Sequence, residues 1–158
     1  MPTRLGYSTI TPDIPEINPR HAAYRLEIRE SSIHRWGVYA LENIPANHKV
    51  LEYTGERLNR KQSKERAGQH GGMVYLFTLD NYWTIDGARG GSGAEYVNHC
   101  CDPNLETQIL KDHILFMSRR DILAGEELTL DYRFAKNVQK YECKCGSPIC
   151  RGTINLLK

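Results

Sequence analysis

A mostly β fold of small, curled sheets is what this sequence predicts. Short stretches of alternating apolar and polar residues recur along the whole chain, and only one segment has the length and composition of a helix. A third observation is a C-terminal cluster of thiols, which predicts a tail tied down by metal. At 158 residues, 40% hydrophobic and 25% charged, the chain is expected to bury one modest core.

Residues 1–20 carry four of the seven prolines and few apolar side chains, and read as an extended arm. Residues 23–29 alternate and read as a strand. Residues 36–41 form a second strand, entered through a turn at 32–35, and 50–53 a third, after the turn Ile44-Pro45-Ala46-Asn47. Residues 60–69 are the helix candidate, with Asn59 as its cap and Gly71-Gly72 as its stop. The segment has almost no apolar stripe, so it belongs on the surface. Residues 73–79 and 82–85 read as a hairpin around Asp80-Asn81. Ser92-Gly93-Ala94-Glu95 fits a capping box, predicting a short helix or turn that carries Tyr96 to His99 and ends at Asp102-Pro103. Residues 105–110 and 113–117 predict another hairpin around Lys111-Asp112, and 127–132 a last strand. The expected organisation is an arm (1–20), a body (21–140) and a tail (141–158).

The tail holds Cys143, Cys145 and Cys150, one thiol short of the four that a structural zinc site takes. The remaining cysteines are Cys100 and Cys101, so one of these is expected to complete the site and strap the tail over Asn98-His99. No run of 18 apolar residues and no basic-then-apolar leader is present, which predicts no membrane span and an intracellular, reducing setting where clustered thiols favour metal over disulfides. A net charge of +2 gives no footprint for sequence-specific nucleic-acid binding.

Five motifs stand in order: Arg35-Trp36-Gly37-Val38-Tyr39-Ala40, Tyr53-Thr54-Gly55-Glu56, Asn98-His99-Cys100-Cys101-Asp102-Pro103-Asn104, Gly125-Glu126-Glu127-Leu128-Thr129-Leu130-Asp131-Tyr132, and Cys143-x-Cys145-x4-Cys150 followed by Arg151-Gly152. Over residues 23–153 they resemble the SET-domain protein lysine methyltransferases with a post-SET zinc tail, the trithorax and SET2-like histone H3 enzymes in particular. The resemblance implies a SET-domain fold with a pseudoknot, in which the segment 98–104 runs beside the strand 125–132. It also implies S-adenosylmethionine and a lysine-bearing peptide, most simply a histone tail, entering from opposite faces.

Residue by residue, the resemblance implies Tyr132 at the reaction centre and Tyr53 beside it. Leu130, Phe77 and Tyr96 would line the lysine channel. His34, Arg35, Trp36, Gly37, Tyr75, Asn98, His99 and Lys144 would hold the cofactor. Cys101, Cys143, Cys145 and Cys150 would bind Zn(2+), with Cys100 spare. Two positions depart from the pattern. Leu130 stands where Phe or Tyr is usual, which predicts room for higher methylation states, and Glu95 stands where Arg is common. With no cysteine-rich segment ahead of residue 23, substrate recognition is expected from the core, the arm or a recruiting partner. The resemblance implies a nuclear, chromatin-associated protein in a eukaryote, and otherwise a cytoplasmic one or one delivered to a host. The alternatives left open are a catalytically silent module that binds peptides or scaffolds partners, and an enzyme acting on a non-histone protein.

Overall fold

Alternation does most of the work in placing the strands. In the computed structural model, which describes residues 13–69 and 75–158, ten strands form three small sheets around one core. The first four strands are β1 (Leu26–Glu30), β2 (Trp36–Ala40), β3 (Lys49–Tyr53) and β4 (Glu56–Asn59). Then come β5 (Leu76–Thr78), β6 (Trp83–Asp86) and β7 (Asn98–His99). The last three are β8 (Leu105–Leu110), β9 (His113–Ser118) and β10 (Glu127–Leu130). The sheets run β1-β2-β10-β7, β3-β9-β8 and β4-β6-β5. Strand β9 shows the pattern plainly, with Ile114, Phe116 and Ser118 buried in alternation. Val38, Ala40, Val50, Leu51, Leu105 and Leu128 are fully out of solvent where the sheets meet.

The expected hairpins form, and their turns explain why. Lys111 and Asp112 between β8 and β9 both take positive φ (46° and 67°), the conformation whose twist matches a two-residue hairpin. Between β5 and β6, Asp80 Oδ1 accepts hydrogen bonds from the N–H groups of Tyr82 (2.7 Å) and Trp83 (2.8 Å). The first strand of this hairpin is shorter than expected, Leu76–Thr78; Met73 lies outside the described residues.

The one α-helix among the described residues, α1 (Arg60–Gln69), buries no residue. Asn59 caps it reciprocally: Gln62 N–H donates to Asn59 Oδ1 (3.0 Å) and Asn59 N–H to Gln62 Oε1 (2.9 Å). The expected Gly71-Gly72 stop lies outside the described residues. Lacking an apolar face, the helix is held by charge. Arg66 reaches Glu56 (2.9 Å) and the fully buried Asp86. Leaving that carboxylate unpaired would cost about 3–5 kcal/mol.

Three expectations need correction. The first strand begins at Leu26, because Ala22 to Arg25 instead lie across neighbouring segments: Ala23 N–H donates to Val50 O and Leu41 N–H to Arg25 O. Strand β4 was not anticipated, since only Leu58 of its four residues is buried. The short helix or turn expected to carry Tyr96 to His99 is a single 3-10 turn, Ala94–Tyr96, entered at Gly93, and it stops short of His99. Asn98 and His99 extend instead, because β10 offers them a parallel partner at Thr129 and Leu130. The Ser92–Glu95 pair still ties the turn: Ala94 N–H donates to Ser92 Oγ (3.3 Å) and Gly93 N–H to Glu95 Oε2 (2.9 Å).

The arm, where described, packs on the body. Ile17 is partly buried against the core and crowds Gly93, whose φ of +100° excludes most side chains. Asn18 N–H donates to Ser92 O (2.8 Å), and Pro19–His21 make a 3-10 turn.

Candidate active site and thiol cluster

The site begins with the parallel pair β7–β10, which aligns Asn98 with Thr129 and His99 with Leu130. The segment after β7 stays lashed to β10. Cys100 N–H donates to Leu130 O (3.0 Å), Asn104 Nδ2 to Glu127 O (2.8 Å), and Thr129 N–H to Asn104 Oδ1 (2.9 Å).

Asn98 then reaches across to the loop before β2. Its Nδ2 donates to Trp36 O (2.8 Å), His34 O (3.3 Å) and Glu127 Oε1 (2.9 Å). Glu127 also accepts from Ser31 Oγ (2.8 Å) and Tyr39 OH (3.1 Å). Gly37 makes this possible, since a Cβ there would stand 2.3 Å from Glu127 Oε1. Glu127 is therefore the hub that sequence reasoning missed. Its partners lie far away along the chain, and only its place in the Gly125–Tyr132 motif could have flagged it.

His99 is 3% exposed, and burial lowers its pKa, with Arg151 adding to the effect against Asp131. The ring is therefore neutral, and its 3.6 Å contact with Asp131 is no ion pair. Nδ1 accepts the N–H of Tyr132 (3.1 Å), which leaves the proton on Nε2, facing Cys101 Sγ at 3.4 Å.

Tyr132 follows β10 and packs edge-on against His99, ring centroids 5.4 Å apart. Its hydroxyl donates to Val97 O at 2.5 Å, and burial, then the nearby Tyr75 and Glu127, push its pKa up. It stays a neutral phenol.

These residues border a cavity of about 780 Å³, within the range of cofactor-sized sites. One wall is His34, Arg35, Trp36, Asn98, His99 and Tyr132. A second is Tyr75, Glu95 and Tyr96, the two tyrosine rings 5.9 Å apart. The roof comes from Phe134 and, in the tail, Tyr141, Glu142, Cys143, Lys144 and Ile154, and Asp13 and Pro15 of the arm join it. The aromatic Phe134–Tyr141 pair (5.8 Å, edge-to-face) and the arm residues were not singled out from sequence.

Not every expected site residue borders the cavity. Gly37 is buried in β2 beneath Glu127. Tyr53, Phe77 and Phe116 form a separate aromatic cluster with centroid distances of 5.1–6.0 Å. Tyr53 donates to Tyr75 O, and its own pKa is pushed up by burial and by Glu95 and Tyr132. Leu130 is 5% exposed and belongs to the core beside them.

Below the roof, the sulfur atoms of Cys101, Cys143, Cys145 and Cys150 all lie within 4.8 Å of one another. Tetrahedral zinc with Zn–S bonds near 2.3 Å sets S–S edges of roughly 3.8 Å. The Cys101–Cys143 separation is 3.7 Å, so the set fits a metal ion. Burial works against ionising Cys145, but N–H groups at Cys101 and Ser147 and the thiols of Cys143 and Cys150 lower it to about 6. Cys100 stands outside the four; its thiol faces Asp102 O at 3.4 Å, and burial raises its pKa to about 11.

The tail carries few ladders of its own. Asp131 grips Arg151 through two bonds (2.8 and 2.9 Å), and Asn155 Nδ2 donates to Ala135 O (3.0 Å) and Gln139 O (3.1 Å). Arg151 N–H points at Cys101 Sγ (3.4 Å), an N–H···S contact beside the cluster.

Comparison with known proteins agrees with this architecture. The SET domain matches residues 35–133. The "Histone-lysine N-methyltransferase, H3 lysine-4 specific" of Saccharomyces cerevisiae is 40% identical over 136 residues, 79% of this chain and 13% of that protein. The "Histone-lysine N-methyltransferase set1" of Dictyostelium discoideum is 40% identical over 139 residues, 83% of this chain and 9% of that protein. The Schizosaccharomyces pombe "Histone-lysine N-methyltransferase, H3 lysine-4 specific" is 39% identical over 141 residues, 83% of this chain and 15% of that protein. The chain thus spans only a small part of the length of these relatives. The β7–β10 pairing, the cavity beside it and the match over residues 35–133 lead to one conclusion: this chain belongs to the SET-domain family.

Proposed function

We propose that this chain is an S-adenosylmethionine-dependent protein-lysine N-methyltransferase acting on a histone H3 tail, with zinc on its four clustered thiols. The convergence of Tyr132, Asn98 and His99 on one cofactor-sized cavity carries the reading. When bound, S-adenosylmethionine supplies a methyl group on a positive sulfur.

The protein's task is to bring a neutral amine to that methyl. A lysine in water is only about 0.1% neutral at physiological pH. Burial among aromatic side chains disfavours the ammonium, so the rings of Tyr96 and Tyr132 at the cavity wall, with Tyr75 beside them, are fitting neighbours for a lysine stem. The hydroxyl hydrogen of Tyr132 is committed to Val97 O, so its oxygen can only accept. It therefore orients the incoming amine through an N–H of that amine and does not act as a base. Asn98 fixes the backbone at His34 and Trp36 for the cofactor's end of the cavity, while Lys144 and the tail close it.

Leu130 brings no hydroxyl to the amine, so the reading expects products beyond monomethyl-lysine. A histone substrate places the protein at chromatin. No helix among the described residues is long and apolar enough to cross a membrane.

The test is transfer of radiolabelled methyl groups to histone octamers and a peptide array, with products read by mass spectrometry. Tyr132→Phe should cut kcat by roughly 10²- to 10³-fold while the dissociation constant for S-adenosylmethionine stays within about threefold. Equal losses in both would remove Tyr132 from this role. Tight cofactor binding without transfer to any protein would instead identify a silent module.

A further inference from the structure

Glu95 borders the cavity but has no part in the mechanism so far. Resting on the methyltransferase reading, we propose that Glu95 and Arg35 clamp the amino-acid end of S-adenosylmethionine, Glu95 taking the α-ammonium and Arg35 the α-carboxylate.

Four observations support this. The two side chains line the same cavity from different elements, Arg35 from the loop before β2 and Glu95 from the 3-10 turn before β7. The rings of Tyr75 and Tyr96 stand with them, and each phenol feels both charges, raised by Glu95 and lowered by Arg35, beneath a larger effect of burial. Arg35 and Glu95 thus share one cavity with these two rings. Yet among the described residues neither enters a salt bridge, with the other or with anything else. Opposite charges held in one cavity without pairing suit a ligand that carries both signs.

The third observation is the seat of the Glu95 carboxylate. Oε2 accepts one bond, from Gly93 N–H at 2.9 Å. Oε1 lies against Gly91, where a Cβ would come within 2.4 Å of it. Two glycines thus admit the group closely and fix its direction, and although the N–H groups of Gly93 and of Glu95 itself both favour the carboxylate, acceptor sites remain for a ligand. The fourth is energetic: burial makes the charged form of Glu95 costly, and an incoming ammonium relieves that cost.

Arg35 is held ready in the same way. Its φ of 31° is unusual for a residue with a side chain, and its carbonyl accepts Ser31 N–H at 2.9 Å, which fixes the loop. The clamp predicts discrimination between ligands with the same nucleoside but different ends.

Calorimetric titration of the whole chain tests it with S-adenosylhomocysteine, its analogue lacking the α-amino group, and the analogue lacking the α-carboxylate. Wild type should bind the deaminated ligand roughly 10- to 100-fold more weakly than S-adenosylhomocysteine. Glu95→Gln should lose a similar factor for S-adenosylhomocysteine, yet bind the deaminated ligand as wild type does. Arg35→Gln should show the same pattern with the decarboxylated ligand, and Glu95→Asp should recover part of the loss.

Equal weakening of Glu95→Gln toward all three ligands would mark a structural role and overturn the clamp. So would equal affinity of wild type for S-adenosylhomocysteine and its deaminated analogue, a comparison needing no variant. If wild type binds none of the three, the methyltransferase reading falls, and the clamp with it.

Discussion

The two sides of the cavity are built by different means. The floor, β2 with β10 and β7, is backbone ladder reinforced by Asn98 and Glu127. The roof, residues 134–156, has isolated bridges (Phe134 with Asn155, Glu142 with Thr153), two ion pairs (Arg151 with Asp131, Lys144 with Glu142) and three thiols clustered with Cys101. A ladder forms whenever the chain folds, whereas a cluster of thiols holds only when something neutralises and bridges it. The shape of the site is therefore intrinsic on one side and conditional on the other.

The sharpest way to break this contrast is to take the bridge away. Chelation of metal, or Cys143→Ser, should abolish zinc content and lower methyl transfer at least roughly 100-fold. The strand signal in circular dichroism should persist and proteolysis should cut only residues 134–158. Global unfolding would mean that the floor depends on the roof. A smaller effect should come from Asn98→Ala, which frees the carbonyls of His34 and Trp36 and costs about 2–3 kcal/mol, seen as a lower Tm with zinc content unchanged.

Smaller again is Asp131→Asn, which leaves the partly buried Arg151 without its carboxylate and costs about 1–2 kcal/mol. It should speed proteolysis of the tail and leave the floor intact. The same pair sets an acid limit. Burial opposes ionisation of Asp131, but the Arg151 bond outweighs it and lowers its pKa. Its contribution is full above the unfolded value near 3.9 and fades as pH falls through the lower folded one. Tail protection, followed by hydrogen exchange, should fade only below about pH 4.

The thiol cluster of the roof and several elements away from the cavity could be read from residues. The Cys143-x-Cys145-x4-Cys150 spacing, the Asn59 cap and both hairpins are local features whose physics is complete within a few positions. What escaped was what depends on distant partners. Asn98-His99 is too short to announce a strand by its own pattern, and only the family resemblance set it beside residues 125–132, where it pairs with β10. Strand β4 has one buried residue and forms because β6 takes its edge. Glu127 looks like any acidic residue entering a strand until Ser31, Tyr39 and Asn98 gather round it.

The His99 imidazole touches both regions at once, offering Nδ1 to the backbone of Tyr132 and Nε2 to the sulfur of Cys101. A flat, rigid ring transmits displacement without bending. A shift of Cys101 would therefore reach the backbone of Tyr132 through this one ring. If zinc occupies the thiols, the amide resonance of residue 132 should report it.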